Sequence, residues 1–298
     1  MGNTTARGRF GWQGIEADVP TPWELSAYRG DRDSGYAALD DGVQVRFQVR
    51  WNRRGARRVH VGVMLDRYCR SLHKKTKGRA AFDRLDPGFL PARARKDREV
   101  EAFRWHAEVS VFGFAWTCHT CGRVGLAEVL FPVEEVDRPT AIRVLSSTED
   151  HRSDGQCLWS VYDFAFLAPH TYNLQQPDFV PGRLCFRFRA PERARLTVGR
   201  WSMAAEWLKK RPLEDWSRDL VAQMQPAGRG KVEQCRVEVR GHEGWRFLIP
   251  AARRGLVRRA AVEGLVWHCT QSDKVYAVVA QGSEDGLPET VAATVQCV

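Results

Sequence analysis

The run from Phe112 to Val129 constrains this chain most, because it occurs twice. Gly113, Trp116, Cys118, Arg123 and Val124 share their internal spacing with Gly264, Trp267, Cys269, Lys274 and Val275, and alternating apolar residues follow in both copies. Each copy reads as a strand, a tight turn and a second strand. A looser echo precedes each one. Trp12, Pro20, Trp23, Leu25, Gly35, Phe47, Val49, Arg50 and Trp51 come in the same order as Trp159, Pro169, Tyr172, Leu174, Gly182, Leu196, Val198, Arg200 and Trp201. Ordered echoes at nearly equal separations predict one module written twice.

The expected fold class is therefore α+β, with two duplicated modules, each a mainly antiparallel sheet packed against one or more helices. The first module is placed at residues 10–135, with a basic segment at 46–104. A polar linker follows at 136–156, then the second module at 157–282 and a loose tail at 283–298. A chain of 298 residues with 43% apolar content and eleven tryptophans is long and aromatic enough to bury a core in each half.

Local patterns fill in this plan. Trp12 to Val19 reads as one strand, closed by Pro20-Thr21-Pro22. Val43, Val45, Phe47, Val49 and Trp51 alternate with Gln44, Arg46, Gln48 and Arg50, so the strand has one buried and one wet, basic face. Val61, Met64, Leu65, Tyr68 and Leu72 recur at helical spacing, and Gly78 is placed to end that helix. Arg79 to Arg98 reads as an exposed loop or short helix, and Ala141 to Leu145 as room for one more strand inside the linker. Met203 to Met224 reads as a helix interrupted at Pro212.

With these elements placed, the chain resembles the PsbP-like α/β fold, which is shared by photosystem oxygen-evolving subunits and a Ran-binding nuclear import factor. The resemblance is carried by Pro169, Tyr172, Gly182, Gly241, Gly244, Tyr276 and Val278, and more loosely by Pro20, Trp23 and Gly35. It implies a protein that binds partners and does no chemistry. The basic segment and the Cys pair have no place in that pattern.

Two features carry chemistry. Cys118-His119-Thr120-Cys121-Gly122 spaces two thiolates so that one turn can grip a single zinc ion, with Gly122 suited to a knuckle that aims backbone amides at sulfur. A closed site needs four ligands, and no second Cys-x-x-Cys exists. His119, His106, Cys157, or the pair His268 and Cys269 could complete it. The plainer reading is that Cys118 and Cys269 are core residues in matching strands. The remaining cysteines read as small buried hydrophobes or bystanders.

The second feature is charge. The net charge is +10, yet between Arg46 and Arg104 eighteen Lys and Arg face six Asp and Glu, so the rest of the chain is close to neutral. Arg50, Arg53, Arg54, Arg57 and Arg58, then Arg70, Lys74, Lys75, Lys77 and Arg79, interleave with Trp51, Tyr68 and His73. Such a surface can neutralise the phosphates of a nucleic acid or meet an acidic protein. A solvated Arg-rich face is the alternative.

No Gly-x-Ser-x-Gly, P-loop or dinucleotide fingerprint is present, and no catalytic residues are assigned. No apolar run is long enough for a membrane helix, and the amino terminus lacks a signal-peptide core, so the chain reads as cytoplasmic with no membrane partner. The expectation is a non-enzymatic adaptor with a basic surface and no cofactor. The alternatives are a zinc-dependent or enzymatic protein with its site around Cys118 and Cys121 between the modules, and a structural subunit of a larger assembly.

Overall fold

The computed structural model describes residues 7–53, 60–224, 232–254 and 257–297. The chain divides into two units, Met1–Tyr162 and Asp163–Val298.

In the first unit, β1 (Arg7–Trp12) and β2 (Ile15–Pro20) form a hairpin, followed by β3 (Glu24–Gly30), β4 (Ser34–Asp40) and β5 (Val45–Arg53). Helix α1 (Val61–Lys75) leads to β6 (Ala81–Arg84), β7 (Arg98–His106), β8 (Val109–Cys118) and β9 (Arg123–Pro132). Helix α2 (Arg138–Ser147) and β10 (Gln156–Val161) close the unit. The main sheet has the order β3-β4-β5-β9-β8-β7-β6, with antiparallel pairing throughout.

The apolar spacing read in α1 places Val61, Leu65 and Leu72 against Phe103, Trp105, Val111, Ala115 and Leu126 of this sheet. Gly78, at φ 80°, donates its N–H to the His73 carbonyl at 2.8 Å and ends the helix in the left-handed conformation that glycine tolerates. The opposite face is covered by another sheet layer and α2. Phe10 of β1 meets Phe47 of β5 edge-on at 6.1 Å, and β10 pairs with β1, setting Trp159 against Trp12 at 5.4 Å. Covered on both faces, β8 is buried at every position from Val111 to Cys118.

The second unit contains β11 (Phe164–Pro169), β12 (Asn173–Leu174), β13 (Asp178–Val180), β14 (Arg183–Arg189) and β15 (Arg195–Ser202). Helices α3 (Ala204–Leu208) and α4 (Leu213–Met224) precede β16 (Glu233–Val239), β17 (His242–Ile249), β18 (Ala252–Arg254) and β19 (Val257–Arg259). Then come β20 (Val262–Cys269), β21 (Lys274–Gln281) and α5 (Leu287–Ala292). Its main sheet runs β14-β15-β21-β20-β17-β16, which matches β4-β5-β9-β8-β7-β6 strand for strand. Leu220 and Val221 of α4 pack on Trp245, Phe247 and Val266, the face that α1 covers in the first unit.

Several expectations are corrected. The fold is β-rich and not α+β: among the described residues there are twenty-one strands, while the five α-helices span 15, 10, 5, 12 and 6 residues. The strand content is under-represented in the sequence pattern because strands of two to four residues, such as β6, β12 and β13, carry no alternation. Trp12 to Val19 is not one strand, because Gln13 (φ 53°) and Gly14 (φ 80°) turn the chain back there. Ala141 to Leu145 is helical and lies inside α2, whose first turn is capped by the Asp137 carboxylate accepting from the Thr140 N–H at 3.0 Å. Residues 287–292, within the stretch read as a tail, form α5, with Val291, Ala292 and Val295 buried. No helix among the described residues is long and apolar enough to cross a membrane.

Candidate functional site

The turn between β8 and β9 brings Cys118 and Cys121 onto one face. Gly122 at φ 68° lets the backbone close, with its N–H on the Cys118 carbonyl at 3.2 Å and the Cys121 N–H directed at the Cys118 sulfur at 3.5 Å. The residues that meet them come from the segment after α2. There Asp150 and His151 complete a group in which the two sulfurs, a carboxylate oxygen and an imidazole nitrogen all lie within 4.8 Å of one another. Cys121 Sγ is 3.3 Å from Asp150 Oδ2, Cys118 Sγ is 3.7 Å from His151 Nδ1, and His151 Nδ1 is 3.1 Å from Asp150 Oδ1. A tetrahedral zinc ion with bonds of about 2.0–2.3 Å sets its ligands about 3.3–3.8 Å apart.

The segment that carries Asp150 is held from several sides. Glu149 exchanges backbone hydrogen bonds with Glu16 of β2, both at 2.9 Å. Arg98, the first residue of β7, donates to the Thr148 carbonyl at 2.8 Å and to Asp150 Oδ1 at 2.7 Å. Arg123 donates to the Asp150 carbonyl at 2.7 Å and to the carbonyls of Gln13 and Arg32, and the Trp116 indole N–H reaches Asp150 Oδ2 at 3.2 Å. The Asp150 carboxylate is fully buried. Burial pushes its carboxyl upward, but Arg98, His151 and the donors Cys121 and Trp116 outweigh this and hold it below the usual carboxylate range. Cys118 is lowered to about 6 by the Cys121 S–H, helped by backbone amides of the turn, while Cys121 is pushed up by the Cys118 sulfur and by burial. Both thiols give up their protons when a cation binds.

The other proposed ligands are not part of this group. His119 and His106 are exposed, and Cys157 is buried beside Gly14 with its thiol pushed up by burial. Cys269 belongs to a group in the second unit with His242 and Cys297. His268 lies on the other side of that strand, lining a cavity of about 340 Å³ with Leu213, His242 and Trp245. Asp150 and His151 were not legible as ligands. Their only signal in the sequence is an Asp-His pair just beyond a helix, some thirty residues from the Cys turn.

The basic residues separate into two sets. Arg54, Arg57 and Arg58 lie outside the described residues. Arg50 is half-buried with its guanidinium over the Tyr36 ring at 5.8 Å, Arg53 is 3.8 Å from Asp33, and Arg79 pairs with Glu108 at 3.0 Å. Arg70, Lys74, Lys75 and Lys77, together with Arg67, are exposed on α1 and the turn after it. The helix is fixed from beneath. Glu128, buried in β9, accepts hydrogen bonds from Tyr68 of α1 at 2.5 Å, Trp105 at 3.1 Å and Gln48 at 2.8 Å. Burial and the Glu128 charge push the Tyr68 hydroxyl upward, so it stays a donor.

No protein-family model and no curated protein matches this chain. Among solved structures it is similar to the immunity protein TplEi of T6SS from Pseudomonas aeruginosa, solved in complex with an "L" peptide. The identity is 12%, the match covers 99% of each chain, and the TM-score is 0.34, a likeness too slight to carry fold or function across.

Proposed function

We propose that the protein is a non-enzymatic binding protein built from one module used twice. Its first unit is braced by a structural zinc ion on Cys118, Cys121, Asp150 and His151 and presents the basic face of α1 to an anionic partner. The convergence of four donors from two separate segments within 4.8 Å carries the metal reading. Four protein donors leave zinc no open position, which is the mark of a structural and not a catalytic site. Charge supports it as well. Two thiolates and the Asp150 carboxylate carry three negative charges, which the divalent ion and the paired Arg98 guanidinium neutralise together. The ion would join the β8–β9 turn to the segment after α2 and so lock one end of the sheet.

Metal analysis tests this directly. Purified protein should hold zinc that Cys121→Ser and His151→Ala each remove, with the unfolding midpoint falling by about 5 °C or more. Protein that binds no zinc when folded under reducing conditions would end the reading.

The binding surface is centred on α1. Arg67, Arg70 and Lys74 recur at helical spacing on its exposed side, and among the described residues no carboxylate lies within ion-pair distance of them. Charge of one sign on a helix held against the sheet fits phosphate oxygens better than scattered surface charge does. Nucleic acid is therefore placed ahead of an acidic protein. Changing Arg67, Arg70 and Lys74 together to Glu should lower the salt needed to elute the protein from heparin and weaken nucleic-acid binding about tenfold or more. Unchanged retention in a folded variant would remove this surface from the proposal.

A further inference from the structure

The second unit repeats the niche of the first with different donors. Cys269 ends β20 as Cys118 ends β8, and both thiols are buried. The segment after α5 delivers Cys297 where the segment after α2 delivers Asp150 and His151. The indole N–H of Trp267 is buried with no hydrogen-bond partner among the described residues, whereas that of Trp116 donates to Asp150. An arginine at the start of β7, and one in the turn before β17, hold the arriving segments. Arg98 donates to the Thr148 carbonyl, and Arg240, two residues before His242, donates to the Ala293 carbonyl. His242, the first residue of β17, brings its imidazole nitrogen within 4.8 Å of both sulfurs.

We propose that His242, Cys269 and Cys297 form a second metal site, a three-donor site for a thiophilic cation such as zinc that leaves one coordination position exchangeable. Two thiolates and an imidazole are soft and borderline ligands that select zinc or copper(I) over magnesium or calcium. Three protein donors leave a tetrahedral ion one position for water. Ser272 stands where the first unit has Cys121, and its hydroxyl is a poor substitute for a thiolate, which is why the fourth protein donor is missing. Cys269 is buried while His242 and Cys297 are half-exposed, so the ion sits at the surface with solvent on its open side. Both thiols lose their protons on binding, and those protons pass to the buffer.

The test titrates reduced, full-length protein with Zn(II) and Co(II). Wild type should take up about two ions per chain, and about one in the Cys118→Ser/Cys121→Ser protein. In that background Cys297→Ser should abolish uptake, and His242→Ala should weaken it tenfold or more. Imidazole added to the Co(II)-loaded Cys118→Ser/Cys121→Ser protein should shift its visible bands, because it enters the open position. If that double variant does not fold, Cys297→Ser in otherwise wild-type protein is read instead, with stoichiometry falling from about two to about one. Uptake unchanged by both Cys297→Ser and His242→Ala would overturn the site, as would a Cys269–Cys297 disulfide that persists under reducing conditions. A single ion removed by Cys297→Ser but retained in Cys118→Ser/Cys121→Ser protein would refute the first-unit site and leave this one standing.

Discussion

The β8–β9 and β20–β21 turns begin alike and end differently. In the first unit Trp116 lies over Gly125 of the paired strand, and a Cβ there would come within 2.2 Å of the indole ring. In the second, the residue opposite Trp267 is Tyr276, and the two rings stack at 5.5 Å. The glycine lets the first tryptophan sink towards the sheet, with its N–H on a buried carboxylate. The position after the turn differs in the same way. Arg123 is buried and spends its donors on three backbone carbonyls, whereas Lys274 meets the Asp163 carboxylate at 2.5 Å. One backbone plan thus supports a niche with a buried carboxylate in one unit and one without it in the other. The choice is made by a few side chains and not by topology.

Arg98 and Arg240 offer the sharpest test of this contrast. Arg98→Ala should destabilise the first unit by about 3–5 kcal/mol, because it leaves the Asp150 carboxylate buried without its partner. Arg240→Ala removes only a hydrogen bond to a backbone carbonyl and should cost about 0.5–1.5 kcal/mol. Denaturant unfolding measures both, and equal losses would show the two niches to be energetically alike.

Gly125 comes next. Gly125→Ala forces the Trp116 ring away and should cost about 1–3 kcal/mol. It should also loosen Asp150, seen as faster amide exchange in residues 148–151. A neutral substitution would mean that the close approach of ring and backbone is not what seats the tryptophan.

The smallest effect is expected at Asp163. Burial raises its carboxyl, but the hydrogen bond from Lys274 and the charges of Arg200 and Lys274 outweigh this and keep it below the ordinary 3.8. A carboxyl lowered in the folded state adds stability that is full above its ordinary value and lost as pH falls through the lowered one. Asp163→Asn should therefore reduce stability at pH 7 by about 0.5–1 kcal/mol, allowing for solvent around a half-exposed group. The difference from wild type should vanish in acid, and one that grew below pH 4 would reverse the sign assigned to this pair.

Within the sequence, short-range order was readable. The alternation of Val45 to Trp51 became β5, the spacing of Val61, Leu65 and Leu72 became the buried stripe of α1, and Cys118 to Gly122 became a turn with its sulfurs together. The turn at Gln13-Gly14 was missed because a tight two-residue reversal leaves the apolar run around it uninterrupted. The helix at 138–147 is hidden because its short run of apolar residues fits a strand as well as a helix.

By itself the sequence determined which segments could form strands, helices and turns, since neighbouring side chains and backbone preferences act over a few residues. It also placed two thiols side by side and a surplus of positive charge between Arg46 and Arg104. Only the tertiary structure decided that Asp150 and His151 meet Cys118 and Cys121, and that Cys297 and His242 meet Cys269. Those meetings depend on the order of strands across each sheet and on where the closing helix ends. Pairing between distant segments is set by how the whole core packs, and no local pattern of residues records it.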